Sequence, residues 1–178
     1  EKLRKPDFYD KLLGGDTFIV LTLHRPSNVD DPEKLTHILT TIERTVGTMQ
    51  VLFPVHPRTR KILEELQLSF FNIRLVDPLP YLEFIYVVNN SSGVITDSGG
   101  ITEETSVLNI PCITLRTSTE RPETITLGTN ELIGDIDQAV PFIQKMLKEE
   151  WKQAQSIPLW DGKTSERIVA ALVKMAYS

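Results

Sequence analysis

Cysteine is almost absent from this sequence: Cys112 is the only one in 178 residues. That excludes an internal disulfide framework. The apolar run around it, Ile110-Pro111-Cys112-Ile113-Thr114-Leu115, marks it as a buried thiol packing as a small hydrophobe rather than a metal ligand. Long hydrophobic runs are absent as well. No apolar stretch reaches the roughly 18 residues of a membrane-spanning helix, and the opening Glu1-Lys2-Leu3-Arg4-Lys5-Pro6 lacks the apolar core of a signal peptide. The sequence therefore predicts a cytoplasmic location and no membrane partner. Positive charge is the minority sign, with 19 Lys and Arg against 24 Asp and Glu for a formal charge of −5. A nucleic-acid partner, which needs a basic face, is not expected, and any anionic ligand must be caught by a local pocket. What remains, 40% of it hydrophobic, suffices for one globular domain with a three-layer core and leaves no room for a second large one.

The apolar residues fall into an alternating order of strands and helices. Thr17-Phe18-Ile19-Val20-Leu21-Thr22-Leu23 is β-branched and apolar without helical gaps, as a parallel strand buried on both faces should be. Asp31-Pro32 then caps a helix whose Leu35, Ile38, Leu39, Ile42 and Val46 recur at helical spacing. The alternation continues through a strand at 51–55, a helix at 59–66, a strand at 73–76, a helix at 81–89, a strand at 93–96, a helix at 101–108 and a strand at 112–115. Amphipathic helices follow, one through Ile136, Val140, Ile143 and Leu147 and a terminal one over about 163–178 through Ile168, Leu172 and Met175. Both are expected to close the domain, with a linker-like stretch at 155–162 between them. The residues up to Gly14-Gly15 precede the first strand and read as a connection from something upstream. Short connections between strands and helices predict an α/β fold with a doubly wound, mostly parallel, Rossmann-like sheet spanning residues 1–178.

In such a sheet the ligand lies beyond the carboxyl ends of the strands. The loop Asp97-Ser98-Gly99-Gly100-Ile101-Thr102-Glu103-Glu104 opens a helix after a buried strand. Gly99 and Gly100 remove Cβ atoms where a ligand must approach, the unpaired N–H groups of the helix start suit a diphosphate, and Ser98 adds a hydroxyl. Glu104 follows closely enough to accept hydrogen bonds from ribose hydroxyls. The plain alternative is a strand-to-helix turn with a capping box and no ligand. His24 and Arg25, directly after the first strand, are not core material and face an anionic substrate on the functional reading, or backbone carbonyls and solvent on the plain one. His56-Pro57-Arg58 repeats this pattern more weakly. Arg121, in Thr117-Ser118-Thr119-Glu120-Arg121-Pro122-Glu123, either clamps a phosphate or sugar or pairs only with Glu120 or Glu123. Phe84 near a helix start can stack on a base, although such a ring is more often core. His37 belongs to the polar side of its helix.

The runs Thr22-Leu23-His24-Arg25, Asp97 to Glu104, Thr119-Glu120-Arg121-Pro122-Glu123-Thr124 and Asp161-Gly162-Lys163-Thr164-Ser165-Glu166-Arg167-Ile168 resemble, in order and spacing, the non-hydrolysing UDP-N-acetylglucosamine 2-epimerases. The resemblance covers nearly the whole chain and maps onto the C-terminal half of that family's two-domain GT-B fold. It implies a UDP-sugar substrate, with Ser98 and Gly99 on the diphosphate, Glu104 on the ribose, Phe84 by the uracil, Arg121 lining the pocket and His24 close to diphosphate and sugar as the catalytic residue. Arg25 and Gly100 belong to the same substrate-binding set. The reaction it implies interconverts UDP-N-acetylglucosamine and UDP-N-acetylmannosamine by eliminating UDP and adding it back with C2 inverted, with no cofactor and no metal.

The carboxylates that move the C2 proton in that family lie in its N-terminal half. The resemblance thus makes the absent N-terminal domain a partner, implies that this chain alone is inactive, and leaves room for a homodimer of the full-length enzyme. Where many bacterial members read His-Arg-Arg-Glu-Asn, this chain has His24-Arg25-Pro26-Ser27-Asn28. Likewise His56-Pro57-Arg58-Thr59 stands in place of the His-x-Asn-Pro pattern linked to allosteric substrate binding, so allosteric control is not carried over. Two other readings stay open on the residues alone: a nucleotide-sugar glycosyltransferase of the GT-B fold, and a non-catalytic nucleotide-binding module.

Overall fold

The computed structural model describes residues 2–176. Its strands are β1 (Phe18–Thr22), β2 (Gln50–Pro54), β3 (Ile73–Val76), β4 (Gly93–Thr96), β5 (Cys112–Leu115) and β6 (Asn130–Ile133). They form one sheet in the order β3-β2-β1-β4-β5-β6, and every pairing is parallel. This is the order of a Rossmann fold, in which the chain reverses its direction of travel across the sheet between β1 and β4. The period of two in a strand decides how the sheet is covered. Ile19 and Leu21 of β1 enter one core cluster and Phe18 and Val20 the other, so both faces must be buried.

The first face is covered by α3 (Pro32–Val46), α4 (Pro57–Glu65) and α8 (Ile136–Leu147), whose Leu35, Ile42, Leu63 and Ile143 pack into its cluster. The second receives α1 (Tyr9–Leu13), α5 (Tyr81–Asn89) and α6 (Gly99–Leu108) through Leu13, Val87, Val88 and Ile101. The start of α3 is as expected: the Asp31 carboxylate accepts the N–H groups of Glu33 and Lys34, and Pro32 sits in the first turn. Among the described residues no helix is long and apolar enough to cross a membrane.

Several elements were not expected. β6 is an edge strand whose Asn130 and Glu131 hide the strand pattern; Asn130 is fully buried and accepts the Thr114 hydroxyl at 2.6 Å. The helices α1, α2 (Pro26–Val29) and α7 (Pro122–Thr126) are too short to show a helical period. α4 starts at Pro57 rather than Thr59 because the His56 ring accepts the Arg58 N–H, and α6 starts at Gly99 rather than Ile101. The stretch 155–162 is anchored rather than free at its start, where the Gln155 N–H donates to the Leu127 carbonyl at 2.7 Å.

The terminal helix α9 (Thr164–Ala176) corrects the expectation that it closes the domain: none of its residues is buried. Ile168, Val169, Leu172, Val173 and Met175 are all more than half exposed, so among the described residues this stripe is left largely uncovered. Residues 177 and 178 of the expected helix lie outside the described residues.

The turn between α7 and β6 leaves no space for a side chain. A Cβ on Gly128 would meet the Ser106 hydroxyl and stand 2.6 Å from the Thr124 carbonyl, which as backbone cannot swing away. Gly128→Ala is expected to lower stability by about 1–3 kcal/mol in urea denaturation, as overpacking does. An unchanged midpoint and slope would show that the turn relaxes freely.

Candidate functional site

Thr22 ends β1 and Thr96 ends β4; the two are register partners, and their hydroxyls lie 2.7 Å apart. Immediately beyond them, at the switch point, the loops after β1 and β4 meet, held together by Asp97. Its side chain is fully buried. Its carboxylate accepts the His24 N–H at 3.1 Å, the Arg25 N–H at 3.0 Å and the Asn28 side-chain amide at 3.1 Å. The His24 Nδ1 lies 2.7 Å from the same group. The Arg25 Nε donates back to the Asp97 carbonyl at 2.9 Å, and the Asn28 amide also reaches the Leu115 carbonyl at 3.2 Å, which ties in the end of β5. A buried carboxylate is tolerable here because N–H donors replace its water. Asp97 and Asn28 carry no site role in the sequence reading; the signal available was an acidic residue directly after the strand Gly93-Val94-Ile95-Thr96, which is buried throughout.

The start of α6 is less fully occupied. Ser98 is its N-cap residue, but the side chain makes no capping bond, and its N–H is taken by the Thr96 hydroxyl at 3.0 Å. The capping box of the plain reading is therefore not formed, and the first N–H groups of the helix carry its positive end unmet by the Ser98 side chain. The two glycines that follow are not demanded by the fold. Neither has a positive φ, a Cβ on Gly100 would meet nothing within 4 Å, and one on Gly99 would touch the Arg116 Nη1 at an ordinary 3.4 Å.

Arg116, at the end of β5, was missed by the sequence reading. Its side chain is only 8% exposed and pairs in bidentate fashion with Glu120, at 2.8 and 3.0 Å. That pairing holds the Glu120 carboxyl down at about 2, with Arg25 contributing at longer range. Arg121 pairs with neither carboxylate expected from its neighbours; its partner is Glu103, one turn into α6. Eighteen positions separate the two in the chain, so local spacing could not reveal the pair.

Glu104 lines a cleft of about 480 Å³ between α5, α6 and the turn at 159–164, opposite Tyr81 and beside Trp160. Burial raises the Glu104 carboxyl above the usual range, the Tyr81 hydroxyl pulls it back by hydrogen bonding, and the neighbouring Glu103 charge raises it again. Phe84 is partly buried on the second core cluster, so the α5 ring that borders the cleft is Tyr81. The weaker loop takes its plain reading: His56 caps α4, and Arg58 pairs with Asp30 at 2.9 Å. His37 is half exposed and faces Asp137 at 3.1 Å. Of the expected site residues the structure thus gathers His24, Arg25, Ser98, Gly99 and Gly100 at the switch point. Glu104 lies on the adjoining cleft, and Arg121 is bound to that cleft's Glu103.

The family profile for UDP-N-acetylglucosamine 2-epimerase matches residues 1–173. The chain belongs to this family. The UDP-N-acetylglucosamine 2-epimerase of Methanocaldococcus jannaschii is 39% identical over 180 residues, which cover 96% of this chain and 48% of that protein. A crystal structure of the M. jannaschii UDP-GlcNAc 2-epimerase in complex with UDP-GlcNAc and UDP matches with a TM-score of 0.77 at 37% identity, covering 96% of this chain and 49% of that one. A structure of Staphylococcus aureus MnaA with UDP reaches a TM-score of 0.82 at 30% identity, over 99% of this chain and 49% of that one. An Escherichia coli heptosyltransferase with ADP, at 14% identity and a TM-score of 0.53, shares the fold alone. The chain therefore spans about half the length of the relatives it matches.

Proposed function

We propose that this chain is the UDP-binding, C-terminal half of an enzyme that interconverts UDP-N-acetylglucosamine and UDP-N-acetylmannosamine by eliminating and re-adding UDP. The observation that carries this reading is the pair Gly99 and Gly100 at a helix start without a side-chain cap. The fold needs neither glycine, whereas a diphosphate approaching the backbone N–H groups needs both. Ser98 supplies a hydroxyl at the same place, and Arg25 and Arg116 supply positive charge around it. Glu104 accepts from the ribose hydroxyls, and Arg121 stays on the rim through Glu103. Phe84 was read as the uracil platform; Tyr81, facing Glu104, is the better-placed ring for the base. No metal or cofactor enters this reading: the leaving diphosphate is stabilised by N–H groups and guanidinium charge.

Abstracting the C2 proton requires a base within about 3 Å of it. The residues gathered here serve the leaving group, so the base is supplied by the other half of the protein. The bare apolar stripe of α9 supports that division: in a chain half as long as its relatives, a helix exposing Ile168, Leu172 and Met175 is built to pack against that half.

The isolated chain is expected to bind UDP weakly, because the groups that hold the diphosphate and ribose lie within it. Calorimetry with millimolar UDP reads this, alongside amide resonances near Ser98. Glu104→Gln should weaken UDP by about 1–3 kcal/mol and 2′,3′-dideoxy-UDP much less, since only the former loses a ribose contact. Equal losses for both ligands would place the ribose elsewhere, and no heat and no shifts would remove the site.

A further inference from the structure

We propose that Asp97 is the positioning residue for His24, fixing the imidazole with its proton on Nδ1 and presenting Nε2 to the ligand across the switch point. A buried carboxylate turns only lone pairs toward its neighbours, so the ring nitrogen 2.7 Å from it is favoured to carry the hydrogen rather than a second lone pair. The opposite nitrogen is then the one on the open side, since the His24 side chain is 55% exposed while Asp97 is fully buried. The carboxylate that faces Nδ1 also takes the backbone N–H groups of His24 and Arg25 and the Asn28 amide, so the loop beneath the ring cannot turn without breaking several bonds, and the ring cannot turn without leaving the carboxylate.

The chemical meaning follows from the tautomer. With Nδ1 committed, a neutral His24 offers an acceptor lone pair at Nε2, and a protonated one offers an N–H there; either serves the diphosphate or the sugar without the ring flipping. Free histidine favours the other tautomer, with the hydrogen on Nε2, so the arrangement reverses an intrinsic preference. What His24 faces rests on the function proposed above. The tautomer does not, because it follows from the protein's own contacts.

The test is ring-nitrogen NMR on the 178-residue chain, labelled with ¹⁵N-histidine and held at a pH where His24 is neutral. A pyrrole-type Nδ1 and a pyridine-type Nε2 are expected, and on adding UDP the Nε2 resonance should move more than Nδ1. In Asp97→Asn, whose amide can turn a donor toward the ring, the pattern should revert toward the Nε2–H tautomer; if that variant unfolds, the unmutated chain still decides the matter. In the full-length enzyme Asp97→Asn should lower kcat by roughly 10-fold or more with KM little changed. Combined with His24→Ala, it should be no slower than the slower single variant, because both act through one group. An Nε2–H ring in the unmutated chain, or losses that multiply in the double variant, would overturn the assignment. A correct tautomer whose Nε2 ignores UDP would instead count against the diphosphate site while leaving Asp97 in its role.

Discussion

Gly100→Ala is expected to leave the chain as stable as before, or slightly more so, and to cut its affinity for UDP by roughly 10-fold or more. The two halves of this result have separate causes. An alanine Cβ at position 100 meets no protein atom within 4 Å, and φ there is not positive. Replacing a helical glycine with alanine in such a place gains about 0.5–1 kcal/mol, because the unfolded chain loses conformational freedom. On the proposed site the same methyl group would stand where a diphosphate approaches the start of α6, and displacing the ligand by even a few tenths of an ångström weakens charge-assisted hydrogen bonds; 1.4 kcal/mol of that is a factor of ten. Thermal denaturation and UDP calorimetry on one preparation read both effects. A stable, folded variant that binds UDP as before would remove the diphosphate from the start of α6.

In the full-length enzyme, His24→Ala should slow epimerisation by about two orders of magnitude or more, with UDP binding much less affected, as loss of a positioned donor or acid–base group commonly does. The isolated chain should show no turnover at all. Following exchange of solvent deuterium into C2 together with UDP release separates proton transfer from departure of the leaving group. Turnover by this chain alone, or a full-length His24→Ala enzyme of undiminished rate, would overturn the division of labour between the halves.

The sheet was legible in the sequence because a strand buried on both faces leaves an uninterrupted apolar run, as Phe18 to Leu21 and Gly93 to Ile95 do. β6 was not, because its buried Asn130 satisfies its amide against Thr114 and Thr124, and a satisfied polar residue in a strand looks like loop. That a helix opens just after β4 was legible from the strand and the glycines that follow it, although its first turn begins two residues earlier than expected, at Gly99. Arg116 was not: a strand-end arginine acquires meaning only when Gly99, just beyond the end of the neighbouring strand, is folded against it. Family resemblance supplied roles for His24 and Glu104 but none for Asp97, whose part emerges only when the loops of β1 and β4 are side by side.

The contacts of Asp97 also set what the loop after β1 is free to become. Two of its bonds come from backbone N–H groups, at His24 and Arg25, which any residue except proline supplies; a third comes from a side-chain amide, at Asn28. Positions 26 and 27 give it nothing. That is where this chain carries Pro26-Ser27 in place of the Arg-Glu common among bacterial members, while the flanking His-Arg and the final Asn are unchanged. Pro26, which has no N–H to give, falls at a position where none is required and where its fixed φ suits the first turn of α2. The loop thus reads as a fixed frame with an interchangeable middle: drift is tolerated at two positions, proline is barred from the two before them, and asparagine is held at the last.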